Sequence, residues 1–164
     1  MKQMDDSTPV TLALAQKGIP FCFFRHPGQV YSLEQAASER GQQPEQVVRS
    51  LVFRLGAGSF SMVLVAGPAQ VAWPALRSYL GQSRLTLASE AEVLEATGYK
   101  LGSVSPFGLP APMRILVDRS VLAQAEISIG SGERSTTVIM KREDLMKALG
   151  EVEIGDFSMK RDGP

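Results

Sequence analysis

The chain has 164 residues, of which 44% are hydrophobic and 21% are charged, so it can bury one core but leaves little room for a second domain. Seventeen Lys and Arg balance seventeen Asp and Glu. This balance excludes a protein that holds long nucleic acids through a global positive field, because such binding needs an excess of basic side chains. Any polynucleotide partner is therefore expected to be bound locally.

A single cysteine, Cys22, excludes an intramolecular disulfide, and we expect its side chain in the core. No apolar run approaches the roughly 20 residues that cross a membrane, and the acidic N-terminal stretch MKQMDDSTP does not resemble an export signal. We therefore expect one cytoplasmic domain over 1–164 that has no membrane partner. Its ends, 1–6 and 157–164, are expected to be flexible.

Helical and strand patterns alternate along the first half of the chain. A proline start and a glycine stop predict a helix over about 9–17, and FCFF predicts a short strand. Ser32 and Gln35 form a predicted capping box for a second helix that Gly41 ends. A short helical turn from Pro44 then leads into SLVFRL, which the GAGS loop joins to FSMVLVAG as a predicted hairpin.

The second half continues the alternation. WPALRSYLG predicts a helix, and Ser89 with Glu92 predicts a capping box for another. RILVD, AEISI and STTVIM predict strands, and REDLMKALG predicts a last helix that covers the sheet. The pattern indicates an α/β fold with a mixed sheet rather than a regular parallel one.

Two stretches do not fit simple packing. TGYKLGSVSPFGLPAP, over 97–112, is rich in proline and glycine and has no clear period, which is typical of an ordered loop that shapes a pocket or of a rigid connector. GSGER, over 130–134, carries glycines that can bring backbone N–H groups close to a ligand oxygen, or that form an ordinary hairpin turn.

Arg49 is the least expected residue of the predicted core. Period-two alternation along VVRSLVFR places Val47, Arg49, Leu51 and Phe53 on one face, which sets a guanidinium among core side chains. One interpretation is that it snorkels to water or pairs with Glu45 or Asp118. The other is that it faces a ligand. Asp118 itself, at the end of RILVD, is expected to cap a turn or to pair with an arginine.

The stretches VYSLEQAA, VVRSLVF, TGYKLGSVSPFG, RILVD and ISIGSGER, in this order and spacing, resemble the YbaK family of aminoacyl-tRNA editing domains, also called the prolyl-tRNA synthetase insertion-domain superfamily. The resemblance covers about 20–149, and 98–108 is its most specific part. It implies a single domain with a mixed, largely antiparallel sheet of barrel-like form, surrounded by helices.

What the resemblance implies is a free-standing hydrolase that removes a wrongly attached amino acid from tRNA. Its partner would be the tRNA acceptor end carrying a small residue such as Ala, Cys or Ser, on the tRNA for proline, with prolyl-tRNA synthetase as a further partner. A synthetase pocket rejects a similar side chain by only about 1 to 3 kcal/mol, so a second sieve is needed. No organic cofactor is implied.

The family pattern carries its best-known catalytic lysine where this chain has Arg49. Arginine keeps the charge and several donors, but it cannot give up its proton, so an electrostatic role survives and a proton-transfer role does not. By the same resemblance, Gly102 and Gly130 join Arg49 as catalytic positions. In the family, the segment that contains Gly130 faces the reacting ester, where backbone donors stabilise a developing oxyanion.

The expected substrate-binding positions are His26, Tyr31, Ser50, Tyr99, Pro106, Phe107, Ser131 and Gly132. Tyr31 would stack on the terminal adenine or staple onto the following helix, and Ser50 would bond a ligand or simply start a strand. Tyr99 and Phe107 would shape the pocket wall or pack over the sheet. Arg134 would contact phosphate or remain solvated.

His26 is the only histidine, and with Cys22 it raises the question of a nucleophilic pair. Four extended residues span roughly 13 Å, which exceeds hydrogen-bond reach, so we reject the pair and expect His26 at a pocket mouth or solvated. One His and one Cys also fall short of the usual protein zinc site, and we expect no metal.

Two functions remain open from the sequence. The first is a trans-acting aminoacyl-tRNA deacylase, and the second is a binding module of the same fold that has lost catalysis and recognises a tRNA end, a nucleotide or a protein. Arg49 discriminates between them. A third interpretation, an unrelated small α/β protein, is disfavoured by the length and order of the motif matches.

Overall fold

A computed structural model describes residues 6–56 and 58–159. The helices are α1 (Pro9–Gln16), α2 (Leu33–Glu39), α3 (Trp73–Leu80), α4 (Glu90–Thr97) and α5 (Arg142–Leu149). The strands are β1 (Cys22–Arg25), β2 (Val48–Leu55), β3 (Phe60–Ala66), β4 (Leu85–Leu87), β5 (Arg114–Asp118), β6 (Glu126–Gly130), β7 (Thr136–Lys141) and β8 (Glu153–Gly155). Two 3₁₀ turns, Pro44–Gln46 and Arg119–Ala123, connect them.

Local signals set several helix ends where the sequence predicts them. Ser32 accepts a hydrogen bond from the Gln35 N–H at the start of α2. Ser89 and Glu92 form the full reciprocal capping box of α4. These side chains satisfy N–H groups that a helix start leaves without partners, so short local patterns were sufficient to locate the ends.

The strands form two sheets. A three-stranded antiparallel sheet has the order β1-β7-β6, and a five-stranded sheet has the order β4-β2-β3-β5-β8. In the larger sheet β2 pairs antiparallel with β3 and β4, whereas β3–β5 and β5–β8 are parallel. The predicted single-domain α/β fold with a mixed sheet and surrounding helices is confirmed, as is the hairpin of β2 and β3.

The barrel-like form is the one part of the fold prediction that needs correction. A closed barrel pairs every strand on both sides, but in the described part of the chain β1 and β6 end the smaller sheet and β4 and β8 end the larger one. The two sheets are joined by a parallel bridge between Val47 and Ser128. This bridge holds the residue before β2 beside the middle of β6.

The two faces of β2 serve different parts of the core. Val48 and Val52 pack into a large cluster with Met62, whereas Phe53 packs with Leu76 on the other face. The predicted alternation is therefore confirmed beyond the start of the strand. At its start, Arg49 interrupts the apolar pattern.

Two expectations about the periphery change. Cys22 is exposed because β1 is an edge strand, so it is not a core residue. Phe157 is 2% exposed, and the Met159 N–H donates to the Gln70 carbonyl, so the expected flexible C-terminal tail begins inside the folded part. The rest of the expected ends, 1–5 and 160–164, lies outside the described residues. In the described ranges no helix is long and apolar enough to span a membrane.

Candidate active site

A cavity of about 570 Å³ opens where the two sheets meet. Its walls come from the start of β2, the facing ends of β6 and β7, the α2 segment, and the irregular 98–113 loop. It is lined by His26, Gln29, Val30, Ser32, Leu33, Ala36, Arg40, Val47, Val48, Arg49, Ser50, Leu51, Leu101, Gly102, Val104, Ser128, Ile129, Gly130, Arg134, Ser135, Thr136 and Thr137.

Arg49 is half-buried in this wall and is fixed by backbone carbonyls. Its Nε donates to the Gly67 oxygen at 2.8 Å, and its Nη2 donates to the Ala69 oxygen. Neither of the carboxylates considered from the sequence, Glu45 and Asp118, is its partner. Burial lowers the pKa of Arg49 from its usual value, since a charged group is less stable away from water. Two of its five N–H groups therefore donate to described residues and three do not.

Ser50 lies next to Arg49 and also lines the cavity. Its Oγ is buried and makes no hydrogen bond to any part of the chain that the structure describes. Buried hydroxyls in folded proteins nearly always have a partner, so the Ser50 hydroxyl is an exception within the cavity wall.

Arg40, immediately after α2, brings a second guanidinium into the cavity. Its Nε donates to His26 Nε2 at 3.1 Å and its Nη1 donates to Ser128 Oγ at 2.7 Å. Burial lowers the pKa of Arg40 to about 10, although the nearby Glu39 acts in the opposite direction. Sequence reasoning missed Arg40, because an arginine that ends a helix is typical of a solvated cap.

His26 lies behind Arg40 and is not solvated. The residue is 6% exposed, and its Nδ1 is 2.6 Å from Glu39 Oε1. Glu39 also accepts from Gln35, and these two hydrogen bonds, Gln35 first, lower the pKa of the Glu39 carboxyl. The ring edge contacts Phe24 at 4.9 Å between centroids. His26 is thus a buried link between α2 and the cavity wall.

The 98–113 loop reaches the cavity through an unusually close approach to β6. A Cβ placed on Gly130 would lie 2.0 Å from the Val104 carbonyl oxygen, so only glycine allows this contact. Gly102 has a φ of +91° and lines the cavity on the same side. Its N–H makes no hydrogen bond within the described residues.

Three other predicted residues of this loop lie outside the cavity lining. Tyr99 is 3% exposed, and its hydroxyl donates to the Phe107 carbonyl at 2.5 Å. Burial raises the pKa of Tyr99 to about 12. Phe107 is buried in the large core cluster, and Pro106 is buried beside it. Their packing matches the alternative in which the loop covers the sheet.

The turn after β6 is held by its own hydrogen bonds. The Gly132 N–H donates to the Ser103 carbonyl at 3.0 Å, and the Glu133 N–H donates to Ser131 Oγ at 3.2 Å. Ser131 is fully buried, and its hydroxyl also contacts Thr136 Oγ1. Ser131 and Gly132 lie outside the cavity lining, and the Gly132 N–H is already used within the protein.

Tyr31 projects from the segment before α2 and is 78% exposed. Its hydroxyl donates to Gln29 Oε1 at 3.2 Å, and its backbone N–H donates to Gln35 Oε1. The residues on either side, Val30 and Ser32, line the cavity, but Tyr31 does not. The structure therefore brings together Arg49, Ser50, His26, Gly102 and Gly130, and leaves Tyr31 at the surface.

In the described part of the chain, the positive charge of the cavity lining is offset only indirectly, by Glu39, which is bonded to His26 behind Arg40. Its three arginines, Arg40, Arg49 and Arg134, hydrogen-bond only to uncharged acceptors among the described residues. The lining contains no aspartate or glutamate from that part of the chain. Because guanidinium groups suit phosphate and carboxylate oxygens, the wall is suited to an anionic ligand.

Known proteins resemble this chain over most of its length. The multifunctional Ser/Thr-tRNA deacylase ProXp-y of Escherichia coli K12 is 28% identical over 148 residues, which cover 88% of this chain and 87% of the relative. The prolyl-tRNA editing protein ProX of Acetoanaerobium sticklandii is 25% identical and covers 88% and 90%. A proline–tRNA ligase of Trichlorobacter lovleyi is 30% identical over 108 residues, where the match spans 66% of this chain and 19% of the ligase.

A solved structure described as a candidate trans-editing enzyme for prolyl-tRNA synthetase superposes with a TM-score of 0.86 at 24% identity, covering 97% of this chain and all of that one. This likeness shows the shared fold. A family model, the aminoacyl-tRNA editing domain, matches residues 27–148, which contain every cavity-lining residue except His26. The chain therefore belongs to the aminoacyl-tRNA editing domain family.

Proposed function

We propose that the chain is a trans-acting aminoacyl-tRNA deacylase. Its substrate would be a mischarged tRNA for proline that carries a small amino acid such as Ala, Cys or Ser. The observation that carries the proposal is a cavity in an editing-domain fold whose lining includes Arg49 and Gly102.

The cavity suits one end of a tRNA rather than its whole surface. A volume of about 570 Å³ falls within the range of about 300 to 1,000 Å³ that is usual for small-ligand sites. The zero formal net charge of the chain agrees with brief contact at the acceptor end, where the arginines of the cavity provide the local charge.

The reaction is the hydrolysis of an ester. The oxygen of a water molecule bonds to the carbonyl carbon, the bond from that carbon to the ribose oxygen breaks, and the ribose oxygen leaves with a proton as a hydroxyl. Negative charge develops on the carbonyl oxygen, and the free Arg49 N–H groups and the Gly102 N–H are the donors proposed to stabilise it. Because arginine keeps its proton, a ribose hydroxyl is the proposed activator of water.

The turn at 130–132 has a supporting role in this proposal. The Gly132 N–H already donates to the Ser103 carbonyl, and Gly130 admits the Val104 carbonyl at a distance that a side chain would block. The turn would therefore hold the loop wall in place, and the loop wall would set the size of the amino acid that fits. Ser50 Oγ, which lacks a partner among the described residues, would bond the α-amine or the side chain of that amino acid.

Two further parts of the proposal concern the surroundings of the reaction. Charging errors arise at a synthetase, so prolyl-tRNA synthetase is the proposed source of the substrate and a candidate partner. The proposed location is the cytoplasm, where aminoacyl-tRNA is made and used. Pull-down of the full chain with the synthetase and tRNA tests whether the synthetase is a partner.

The function is tested by hydrolysis of alanyl-, cysteinyl- and seryl-tRNA for proline by the wild type, Arg49→Ala and Arg49→Lys. We expect turnover by the wild type and a loss of about 100-fold or more in Arg49→Ala, which is typical of removing a group that stabilises the oxyanion. Arg54→Gln, which changes an arginine outside the cavity lining, is the matched control and should leave turnover unchanged.

The replacement of the family lysine by Arg49 favours one competing function, a binding module that has lost catalysis. Wild type that is inert on every substrate, together with activity gained in Arg49→Lys, would support that module and refute the deacylase. Wild-type turnover that survives in Arg49→Ala would remove Arg49 from the mechanism.

A further inference from the structure

Arg40 is a cavity cation whose donors are only partly used. An arginine side chain has five N–H donors, and the described residues accept from two of them, through Nε and Nη1. Its acceptors, a neutral ring nitrogen and the Ser128 hydroxyl, carry no negative charge. Ser128 is itself fully buried and donates to Gln42 Oε1 at 2.9 Å, so it is fixed from behind.

The contacts around His26 determine its tautomer. Because the Arg40 Nε always carries a proton, His26 Nε2 must accept, which leaves the ring proton on Nδ1 to be donated to Glu39. Glu39 is in turn held by Gln35 one helical turn earlier. The chain from Gln35 through Glu39 and His26 therefore fixes the guanidinium plane of Arg40 against the cavity.

The chemistry of an aminoacyl ester limits what Arg40 can meet. The carboxylate of the amino acid is consumed in the ester bond and its α-amine is cationic, so the negative charge of the substrate end lies on its phosphates. A fixed guanidinium with free donors matches phosphate oxygens in shape and charge. Arg49 has as many donors in use, through Nε and Nη2, and the proposed function already assigns it to the reacting ester.

We propose that Arg40 binds a phosphate group of the substrate's terminal nucleotide, and that His26 is the residue that positions it. This inference rests on the proposed function and assigns separate tasks to the two arginines. Arg40 holds the phosphate, and Arg49 serves the reacting ester. The described lining residues include no carboxylate. A bound phosphate therefore offsets the positive charge of the arginines in the cavity wall.

The test separates phosphate binding from hydrolysis. The analogue 3′-alanylamino-3′-deoxyadenosine, whose amide replaces the ester and is not hydrolysed as one, is titrated by calorimetry with and without a 5′-phosphate. We expect the wild type to bind the phosphorylated analogue at least about ten-fold more tightly, as is typical of a hydrogen-bonded charge pair. In Arg40→Gln the ratio of the two affinities should fall to about one, with the affinity for the unphosphorylated analogue unchanged. Arg54→Gln should retain the wild-type ratio.

His26 is tested by rescue. His26→Phe removes both ring nitrogens and should lower the phosphate preference, whereas His26→Gln, whose amide can accept from Arg40 and donate to Glu39, should retain most of it. Equal effects of the two variants would refute the positioning role. Equal weakening of both analogues by Arg40→Gln, or no phosphate preference in the wild type, would refute the Arg40 assignment.

These outcomes are distinct from failure of the proposed function. Wild type that hydrolyses mischarged tRNA but shows no phosphate preference retains the deacylase and overturns the Arg40 site. Wild type that prefers the phosphorylated analogue in an Arg40-dependent way, yet hydrolyses no ester, supports the Arg40 site and overturns the deacylase.

Discussion

The cavity and the edge formed by β5 and β8 differ in the hydrogen-bond partners that their polar groups have. At the edge, Arg114 forms two hydrogen bonds of 2.7 Å to the Glu153 carboxylate, and the buried Asp118 accepts from the backbone of Phe157 and Ser158. In the cavity, Ser50 Oγ has no partner in the described ranges, and Arg49 bonds only to neutral carbonyls.

This contrast separates groups that hold the fold from groups that are available to a ligand. A polar group with its partners inside the protein adds to the free energy of unfolding, whereas a buried group without one lowers it. The edge should therefore respond to mutation through stability alone. Ser50 should respond through activity, with little loss of stability or even a gain.

The largest effect on stability is expected for Asp118→Asn. The carboxylate accepts from the N–H of Ser120, from the N–H and hydroxyl of Ser158, and from the Phe157 N–H at 2.6 Å. An amide turns a donor toward some of these donors, so we expect a loss of about 3 kcal/mol at pH 7 by urea unfolding. Deacylation per folded molecule should not change.

The pH dependence of the free energy of unfolding gives a second measure of the contribution of Asp118 to stability. Burial alone would raise the pKa of its carboxyl, but the hydrogen bonds from Ser120, Phe157 and Ser158 outweigh burial and lower it. Its contribution to stability is therefore complete above the unfolded value of about 3.9 and is lost as the pH falls through the lower folded value. The difference between wild type and Asp118→Asn should shrink in that acidic range. A difference that stays constant down to pH 2 would contradict this assignment.

An intermediate effect of opposite sign is expected for Ser50→Ala. Removing a buried hydroxyl without a partner should raise the free energy of unfolding by about 1 kcal/mol, while deacylation falls about ten-fold because the ligand loses a bond. Urea unfolding and hydrolysis of seryl-tRNA measure the two quantities. Ser61→Ala is the control, because Ser61 is also in the sheet but donates to the Arg114 carbonyl, so it should lose stability. A destabilised Ser50→Ala would show that Ser50 belongs with the structural groups.

Local signals in the sequence predicted the elements that form largely by themselves. The Ser89–Glu92 capping box and the β2–β3 hairpin depend on residues close in the chain, and they were predicted from short patterns. The strands β4 and β8 were not predicted, because each has three residues and depends on a partner strand, Leu85 pairing with Leu55 and Ile154 with Val117. No local pattern specifies such pairings.

The cavity residues likewise divide into those that local motifs identified and those that depend on distant parts of the chain. The motifs identified Arg49, Gly102 and Gly130, which lie within recognisable stretches, and all three line the cavity. Arg40 was not predicted, since its role depends on Ser128, which is 88 positions away in the sequence. Tyr99 and Phe107 lie in the same motif as Gly102, yet they pack inward, because a motif fixes neither the direction of a side chain nor what it meets.

The smallest effect is expected for the ion pair at the edge. Arg114 lowers the pKa of Glu153 through their hydrogen bonds, with a smaller contribution from Tyr79, but both side chains are well exposed. Exposed pairs contribute about 0 to 1 kcal/mol, because water screens them and two long side chains must be held in place. A double-mutant cycle of Arg114→Ala and Glu153→Ala, read by urea unfolding, should give a coupling of about 0.5 kcal/mol that falls in high salt. Neither variant should alter deacylation. A coupling above about 2 kcal/mol, or a change in turnover, would mean that the edge and the cavity are not separate in the way their polar contacts indicate.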